Sequence, residues 1–454
     1  MRQNCPAANN REAHAMSFFS SRHLYPAHLS TIKSRVDDAL QKAGFDHLLV
    51  AAGIEKMRFL DDMPYPFKVS PQFKQWLPLV MNPHCWISYS PGMKPVLAYY
   101  QPDDYWHVPP SAPEGAWVEH FDIRVIDEPA KAVQHLPSSG RLAIIGEADA
   151  ALPGFVPNNP KPVIDFLNFH RAFKTPYELA LQRLAQRNGA RGHAAARNAF
   201  LARGSEAQIN AAFLAAAGHT DSDVPYNNIV ALNENGATLH YQYKSFEAPS
   251  EHRSLLIDAG AEVDGYASDI TRTWGNGDPE FTYLVSAVDH EQQVLADKVR
   301  AGTDYRDLHL ECHLRLGSVL KSLEIVDMDP GSMLETGVTS TFFPHGLGHP
   351  IGLQVHDVAG FSDIDGNLIP RPDGHPYLRM TRTLAAGMVV TIEPGLYFIP
   401  TLLAKLRAGA HAKAVDWKQV EHLARFGGVR IEDEVHCTDG APENLTRDAF
   451  EELS

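Results

Sequence analysis

The stretch Leu255–Trp274 reads LLIDAGAEVDGYASDITRTW and sets two carboxylates, Asp258 and Asp269, in otherwise strand-like sequence. Asp264-Gly265 between two apolar runs is a strong hairpin signal. A turn centred on Val263 and Asp264 makes Asp258 face Asp269 directly across the hairpin. Opposed residues share a face, with Cβ atoms roughly 4.5–5.5 Å apart. Two acids so placed repel each other unless something positive sits between them. A divalent metal, or a pair of metals, answers that need. On these residues alone, two acids near a turn is the commoner reading.

Three further segments carry candidate donors. His345, His349 and His356 are interleaved with Gly346, Gly348 and Gly352, and glycines let groups approach a shared centre closely. Glu393 ends the apolar run Val389–Ile392, where a carboxylate is costly to bury without a partner. In Gly427–Val435, strand alternation puts Val429, Ile431, Asp433 and Val435 on one face and Arg430, Glu432 and Glu434 on the other. A cation beside Glu432 keeps it ionised, as a metal ligand must be. Each segment also has a plainer reading: a solvated loop, a strand-end acid, an edge strand with salt bridges. Together, two aspartates, one histidine and two glutamates suit Mn²⁺, Co²⁺ or Zn²⁺ in a two-metal site. Four carboxylates formally balance two divalent ions, and such a site implies hydrolysis.

Competing chemistries lack their motifs. The sequence has no GxSxG elbow, no GxGxxG after a strand, and no Gly-Lys-Ser/Thr phosphate loop. His309 and His313 have the i, i+4 spacing of a zinc pair, but no Glu sits at the HExxH position. They are expected to be structural or substrate-facing.

The elements that must position these residues fall into two groups. A helix over Leu29–Gly44 and strands at His47–Ala52, Cys85–Tyr89, Pro95–Tyr100 and Leu142–Gly146 predict a small α/β domain. The segment Arg58–Leu79 mixes proline, aromatics and charge. It is expected to be a structured loop that lies against something, a partner subunit being one candidate. A boundary is expected within Asn159–Lys174. Thr175, Pro176 and Glu178 then form a capping box opening a new helix, and Ser205 with Gln208 forms a second one before Ile209–Ala217. A strand over Asn228–Ala231 precedes a turn at Asn233–Gly236. Helices fit Thr282–Val299 and Asp304–Leu323, and after Thr341 the chain is expected to be strand and loop.

Bulk properties narrow the class. At 454 residues the default is two domains. A formal charge of -15 argues against a nucleic-acid or anionic-membrane partner. No run approaches the ~20 apolar residues of a membrane span. The four cysteines are scattered, against a disulfide framework or zinc knuckle. The polar N-terminus lacks the apolar core of a signal peptide. Residues 1–16 are expected to be a disordered extension, and Met16 is an alternative start. The expected location is the cytoplasm.

With these motifs assembled, the chain resembles the pita-bread metallopeptidases. Asp258, Asp269, His349, Glu393 and Glu432 match that family's five dinuclear ligands in order. FLDDMPYPFKVSPQFKQWLP, NIVALNENGATLHY, STFFPHGLGHPIGLQVHD and TIEPGLYF are similar to the bacterial Xaa-Pro dipeptidase (prolidase) branch that includes organophosphorus acid anhydrolase. The resemblance implies an α/β (α+β) chain, with an N-terminal α/β domain over 17–172 and a pita-bread catalytic domain over 173–454. It implies two divalent ions per subunit, Mn²⁺ first, with Co²⁺ or Zn²⁺ as alternatives. It gives Glu393 a proton-relay role and assigns His240 and His356 to the scissile carbonyl. His345 is assigned to the pocket, and Arg379 and Arg430 to the substrate's terminal carboxylate. Tyr226, Leu239, Tyr305, Val355 and Leu378 match pocket positions of the anhydrolase branch. Asp62 matches an acid that reaches the neighbouring subunit's site, which implies a homodimer. The implied reaction is hydrolysis of Xaa-Pro dipeptides, with side activity on organophosphate triesters. Aminopeptidase P activity on longer peptides is the nearest alternative, and a non-catalytic binding protein on the same fold a more distant one.

Overall fold

The computed structural model describes residues 22–453. The expected extension over 1–16 lies outside the described residues. Contacts divide the chain into two units, 1–181 with 364–366, and 182–363 with 367–454. The division falls inside one long helix, Pro176–Leu201.

In the first unit, a helix at Tyr25–Ala43 stops at Gly44, whose φ of 74° is the left-handed conformation glycine tolerates. Strands β1 (His47–Ala51), β2 (Trp86–Tyr89), β3 (Val96–Tyr100), β4 (Asp122–Ile126) and β5 (Leu142–Ile145) form one mixed sheet in the order β4-β3-β2-β1-β5. Strand β4 was not anticipated: two of its five residues are exposed, so DIRVI carries a weak apolar signal. Leu49, Trp86, Ala98, Ile126 and Ile144 fill the core on one face of this sheet. Lys161–Arg171, expected to be part of a boundary segment, is a helix packed on Tyr25–Ala43. Pro162 stands in its first turn, where proline helps rather than hinders.

Both capping boxes form. The Thr175 N–H donates to Glu178 at 2.7 Å, and the Glu178 N–H to Thr175 Oγ1 at 3.4 Å. Ser205 and Gln208 exchange the same pair of bonds ahead of the helix Glu206–Ala217.

The second unit builds its site on short, buried strands. β6 (Ile229–Leu232), β7 (Ser254–Asp258) and β10 (Thr271–Gly275) form one sheet, with β7 central. β8 (Glu262–Val263) and β9 (Tyr266–Ala267) form the hairpin tip. β11 (Val389–Ile392) pairs with β14 (Asp433–His436), which also pairs with β15 (Glu443–Asn444). β12 (Gly395–Tyr397) pairs with β13 (Gly428–Arg430). Ala196, Phe200, Ile209 and Phe213 from two helices cover Val230, Leu255 and Ile257 on one face of the β6-β7-β10 sheet. Helices Pro279–Ala296 and Tyr305–Ser322 pack on each other.

After Thr341 the chain is not only strand and loop. Helices occupy Pro400–Ala408, Trp417–Ala424 and Leu445–Glu451. Their start signals, Pro400 at the first position and the side-chain caps Asp416 and Asn444, were present in the sequence.

The hairpin register also differs from expectation. Asp258 lies opposite Thr271, not Asp269. The turn is centred on Asp264 and Gly265, with φ of 50° and 91°. A two-residue hairpin turn of this hand needs both central residues at positive φ. Val263 is β-branched and resists that conformation, whereas Asp and Gly accept it. Two places along a strand preserve the face, so the aspartates still meet in one site.

Gly265→Ala puts a Cβ into this left-handed position. It is expected to lower stability by about 1 kcal/mol, read as an earlier denaturant midpoint for the metal-free chain. An unchanged midpoint would show that the turn does not set the register.

Candidate metal centre

The centre grows from four positions at strand ends and one glycine-rich loop. β7 delivers Asp258 at its last residue, and Asp269 stands just before β10. The link between β13 and β14 carries Glu432, whose backbone N–H donates to the Thr271 carbonyl at 3.0 Å. Glu393 directly follows β11. His349 is tied to that strand from both sides. Its N–H donates to Thr391 Oγ1 at 3.0 Å, and the Thr391 N–H donates to its carbonyl at 2.9 Å. Gly348 is needed for this approach. A Cβ there would collide with the Thr391 carbonyl oxygen and the Tyr305 hydroxyl.

Asp269, His349 and Glu432 are buried, and one ligand atom from each lies within 4.8 Å of the others. Glu393 Oε1 is 3.7 Å from His349 Nε2, and Asp269 Oδ2 is 3.5 Å from the same nitrogen. Asp258 turns Oδ2 to Arg430 at 2.7 Å. Its Oδ1 is buried with no hydrogen-bond partner among the described residues. A buried carboxylate oxygen left unpaired is costly. An oxygen-rich, imidazole-containing set with one orphaned oxygen fits a divalent cation.

Electrostatics give the same picture. Burial pushes Glu393 up to about 7 and Asp258 up to about 6, with Asp269 raising both further. Burial, then the charges of Asp269 and Glu393, drives Glu432 well above the usual carboxylate range. Burial is the largest influence on Asp269 and works against its ionised form, but the His349 hydrogen bond and charge, the Tyr226 hydrogen bond and His356 together outweigh it and hold the carboxyl low. This is the signature of too much negative charge in too little water.

The other anticipated residues divide by position. His345 bonds through Nε2 to the Tyr397 hydroxyl at 2.9 Å, and its Nδ1 lies 3.7 Å from Glu393. The His356 ring sits 4.4 Å from that of His349. Lost hydration pushes His345 and His356 to about 3, helped by Arg430 and by His349 respectively. His240 is lowered too, by lost hydration and then by Arg430 and Arg379. All three rings are therefore neutral at ordinary pH. Arg379 is exposed and close enough to His240 and His356 to affect both. Tyr226 donates to Asp269 Oδ1 at 2.5 Å. Leu239 and Val355 are half-buried, and Leu378 is fully buried. Tyr305 is also fully buried, and its hydroxyl donates to the Thr391 carbonyl at 2.7 Å, which braces β11. Asp62 is exposed and belongs to the first unit.

Arg430 is more engaged than expected. Its guanidinium donates to Asp258 Oδ2 at 2.7 Å, the Tyr397 hydroxyl at 2.8 Å and Thr271 Oγ1 at 3.1 Å. Sequence reasoning passed over Thr271, Thr391 and Tyr397, and placed Glu434 on the face of Glu432 without giving it a role. Thr271 donates to Glu432 at 2.6 Å, and Glu434 accepts the Asp269 N–H at 2.7 Å. Threonines in strands read as ordinary β-formers, so only their place beside the acids gave a signal.

With this geometry in place, comparison with known proteins defines the class. The chain belongs to metallopeptidase family M24, whose model matches residues 180–439. A model for the Xaa-Pro dipeptidase N-terminal domain matches residues 23–169. A Xanthomonas campestris pv. campestris (strain B100) protein named Xaa-Pro dipeptidase is 55% identical over 430 residues, 94% of this chain and 98% of that protein. A Stenotrophomonas maltophilia (strain K279a) protein of the same name is 52% identical, over 94% and 97%. Among solved structures, a zinc-substituted Escherichia coli aminopeptidase P in complex with product matches with TM-score 0.68 at 23% identity. It covers 93% of this chain and 97% of that one. Yersinia pestis proline aminopeptidase P II matches with the same TM-score at 24% identity, over 94% and 96%. At such identity the likeness is one of fold, the pita-bread fold. The anticipated fold class and family are therefore correct. No helix among the described residues is long and apolar enough to cross a membrane.

Protons and cations compete for the same carboxylates. A carboxyl protonated in the metal-free chain cannot ligate, so affinity falls as pH drops through the raised values of Glu393 and Asp258. Between about pH 7.5 and about pH 5.5 the fall is expected to be roughly 100-fold, with protons released on binding. Titration calorimetry in buffers of different ionisation heat reads both. A pH-independent affinity would mean these acids are not ligands.

Proposed function

We propose that this chain is a metal-dependent Xaa-Pro dipeptidase, hydrolysing the bond between an N-terminal residue and a C-terminal proline. The observation that carries the reading is 52–55% identity, across both units, to proteins of that name. The site geometry supports it. Asp258, Asp269, His349, Glu393 and Glu432 would hold two divalent ions, and we take Mn²⁺ as the native metal. When bound, such ions polarise the scissile carbonyl and make a water acidic enough to attack it.

The chain's own groups supply the rest. Glu393, directly after β11 and 3.7 Å from His349, is placed to take a proton from the attacking water and deliver it to the proline nitrogen. Neutral His240 and His356 donate hydrogen bonds to the carbonyl oxygen as charge develops on it. Exposed Arg379 can pair in two-pronged fashion with the dipeptide's terminal carboxylate. A longer peptide carries no carboxylate at that point, which restricts the substrate to two residues. His345, Tyr226, Leu239, Val355, Leu378 and Tyr305 shape the pocket, some by contact and some by support.

Asp269→Asn and Glu393→Gln are each expected to reduce Ala-Pro hydrolysis at least about 100-fold. Asp269→Asn should also lose bound metal, whereas Glu393→Gln tests the proton relay as well. The wild-type chain should cleave Ala-Pro faster than Ala-Pro-Ala. Faster cleavage of the tripeptide would favour aminopeptidase P activity, the activity for which the structural neighbours are named.

The proposal extends to a cytoplasmic homodimer. Cys85, Cys312 and Cys437 are free, buried thiols, consistent with a reducing compartment. Phe59, Leu60, Met63 and Tyr65 project from the first unit with exposures of 90%, 91%, 56% and 57%. Such a cluster marks a protein interface. Asp62, in its midst, would reach the neighbouring subunit's site. Sedimentation is expected to give twice the chain mass, and Leu60→Asp to give the monomer. A monomeric wild type would sink the dimer.

A further inference from the structure

A second group of candidate ligands lies outside the carboxylate-rich centre. The helix Tyr305–Ser322 places His309 and His313 one turn apart on the same face. His375 comes from the segment that also carries Leu378 and Arg379. One nitrogen from each of the three rings lies within 4.8 Å of the others. The ring centroids stand 4.7–4.8 Å apart, pairwise.

Several details suit a cation. His313 Nδ1 is held by the Thr339 hydroxyl at 2.9 Å. That is the anchoring a ligating histidine usually receives, and it fixes which nitrogen is available. The remaining nitrogen, Nε2, is buried and meets no hydrogen-bond partner among the described residues. His313 is 1% exposed, so water does not freely satisfy that nitrogen. His309 Nε2 and His375 Nδ1 share a hydrogen bond at 3.0 Å, and an ion displacing the shared proton needs little movement to reach the ~3.3 Å between nitrogens on one tetrahedral zinc ion. Half-buried His375 leaves a way in for an ion and a fourth ligand from solvent. Neutral imidazole is the ligating form, and burial lowers the pKa of all three rings.

We propose that His309, His313 and His375 form a mononuclear site for a divalent cation of the zinc class, separate from the carboxylate-rich centre. Three nitrogen donors and no carboxylate select Zn²⁺, Co²⁺, Ni²⁺ or Cu²⁺ over Mg²⁺, Ca²⁺ or Mn²⁺. An ion there clamps the segment carrying Leu378 and Arg379 to the helix Tyr305–Ser322. The Phe343 ring packs against His313 at 4.9 Å and against His345 at 4.7 Å, which links the clamp to the pocket.

The test is a zinc count. Full-length protein is stripped with chelator, equilibrated with Zn²⁺, desalted and analysed by mass spectrometry. His375→Ala and His313→Ala are each expected to hold one zinc ion fewer per chain than wild type. The variant Asp269→Asn/Glu432→Gln, which disables the other centre, should keep one ion and lose it on adding His375→Ala. That arm separates this site from the proposed active centre. Added Zn²⁺ should also raise the melting temperature of Asp269→Asn/Glu432→Gln but not of the triple variant. Should His313→Ala fail to fold, half-buried His375→Ala still decides. Equal zinc in His375→Ala and wild type, or no zinc in Asp269→Asn/Glu432→Gln, overturns the site.

Discussion

Packing four carboxylates around one imidazole in a buried space is the constraint the catalytic unit answers to. Like charges at this spacing cannot all ionise without a cation. Arg430 supplies one positive charge, paired directly with Asp258 and felt more weakly by Glu393 and Glu432, while His349 lies 3.5 Å from Asp269 and 3.7 Å from Glu393. The raised values of Glu393, Asp258 and Glu432 measure the remaining deficit. A metal-free chain meets that deficit with protons, and a metal-loaded one with divalent charge. The neighbouring hydrogen bonds, from Thr271 to Glu432 and from Tyr226 to Asp269, fix the acids in place but add no charge.

Such a cluster needs a stiff scaffold, and the strands that hold it are short and buried on both faces. All four residues of β11 are buried, as are the first four of β7. Alternation does a second service in the Glu432–Asp433 pair. Glu432 turns to the centre, and Asp433 points away to Arg272 and Arg447 at 2.7 Å each. Those two guanidiniums, unlike the centre, fully offset their acid. Asp433 accordingly sits at about 2, the reverse of its neighbour. Adjacent carboxylates thus carry opposite roles because the strand sends them to differently charged sides.

Much of this was readable in the sequence because it rests on local rules. Capping boxes and the Gly44 stop depend on a few adjacent residues, and they formed as expected. The donor types and their strand-end positions were equally visible. What failed depended on choices between near-equal alternatives. Placing the hairpin turn on Val263-Asp264 or on Asp264-Gly265 is a one-residue decision, settled by which residues accept positive φ. The three helices after Thr341 are short, and their apolar faces are too brief to stand out against strand patterns. The partners of Arg430 were out of reach altogether. Tyr397 and Asp258 lie far from it in sequence, and only the folded chain shows that they meet.

That last point bears on how the two arginines divide their work. Both were expected at the substrate carboxylate. Arg430 is 4% exposed, and each of its three nitrogens already donates to the protein. Diverting it to a ligand would strip Asp258 of its counter-charge in a buried setting, which is costly. Arg379 is exposed and stands near His240 and His356, the rings proposed to meet the scissile carbonyl. In the proposed reaction, carboxylate capture is therefore better assigned to Arg379, and Arg430 is better placed to hold Asp258 ionised and oriented. The segment carrying Arg379 has little regular structure of its own. Whatever fixes that segment also fixes the reach of its guanidinium, which makes the nearby histidine cluster more than a packing detail.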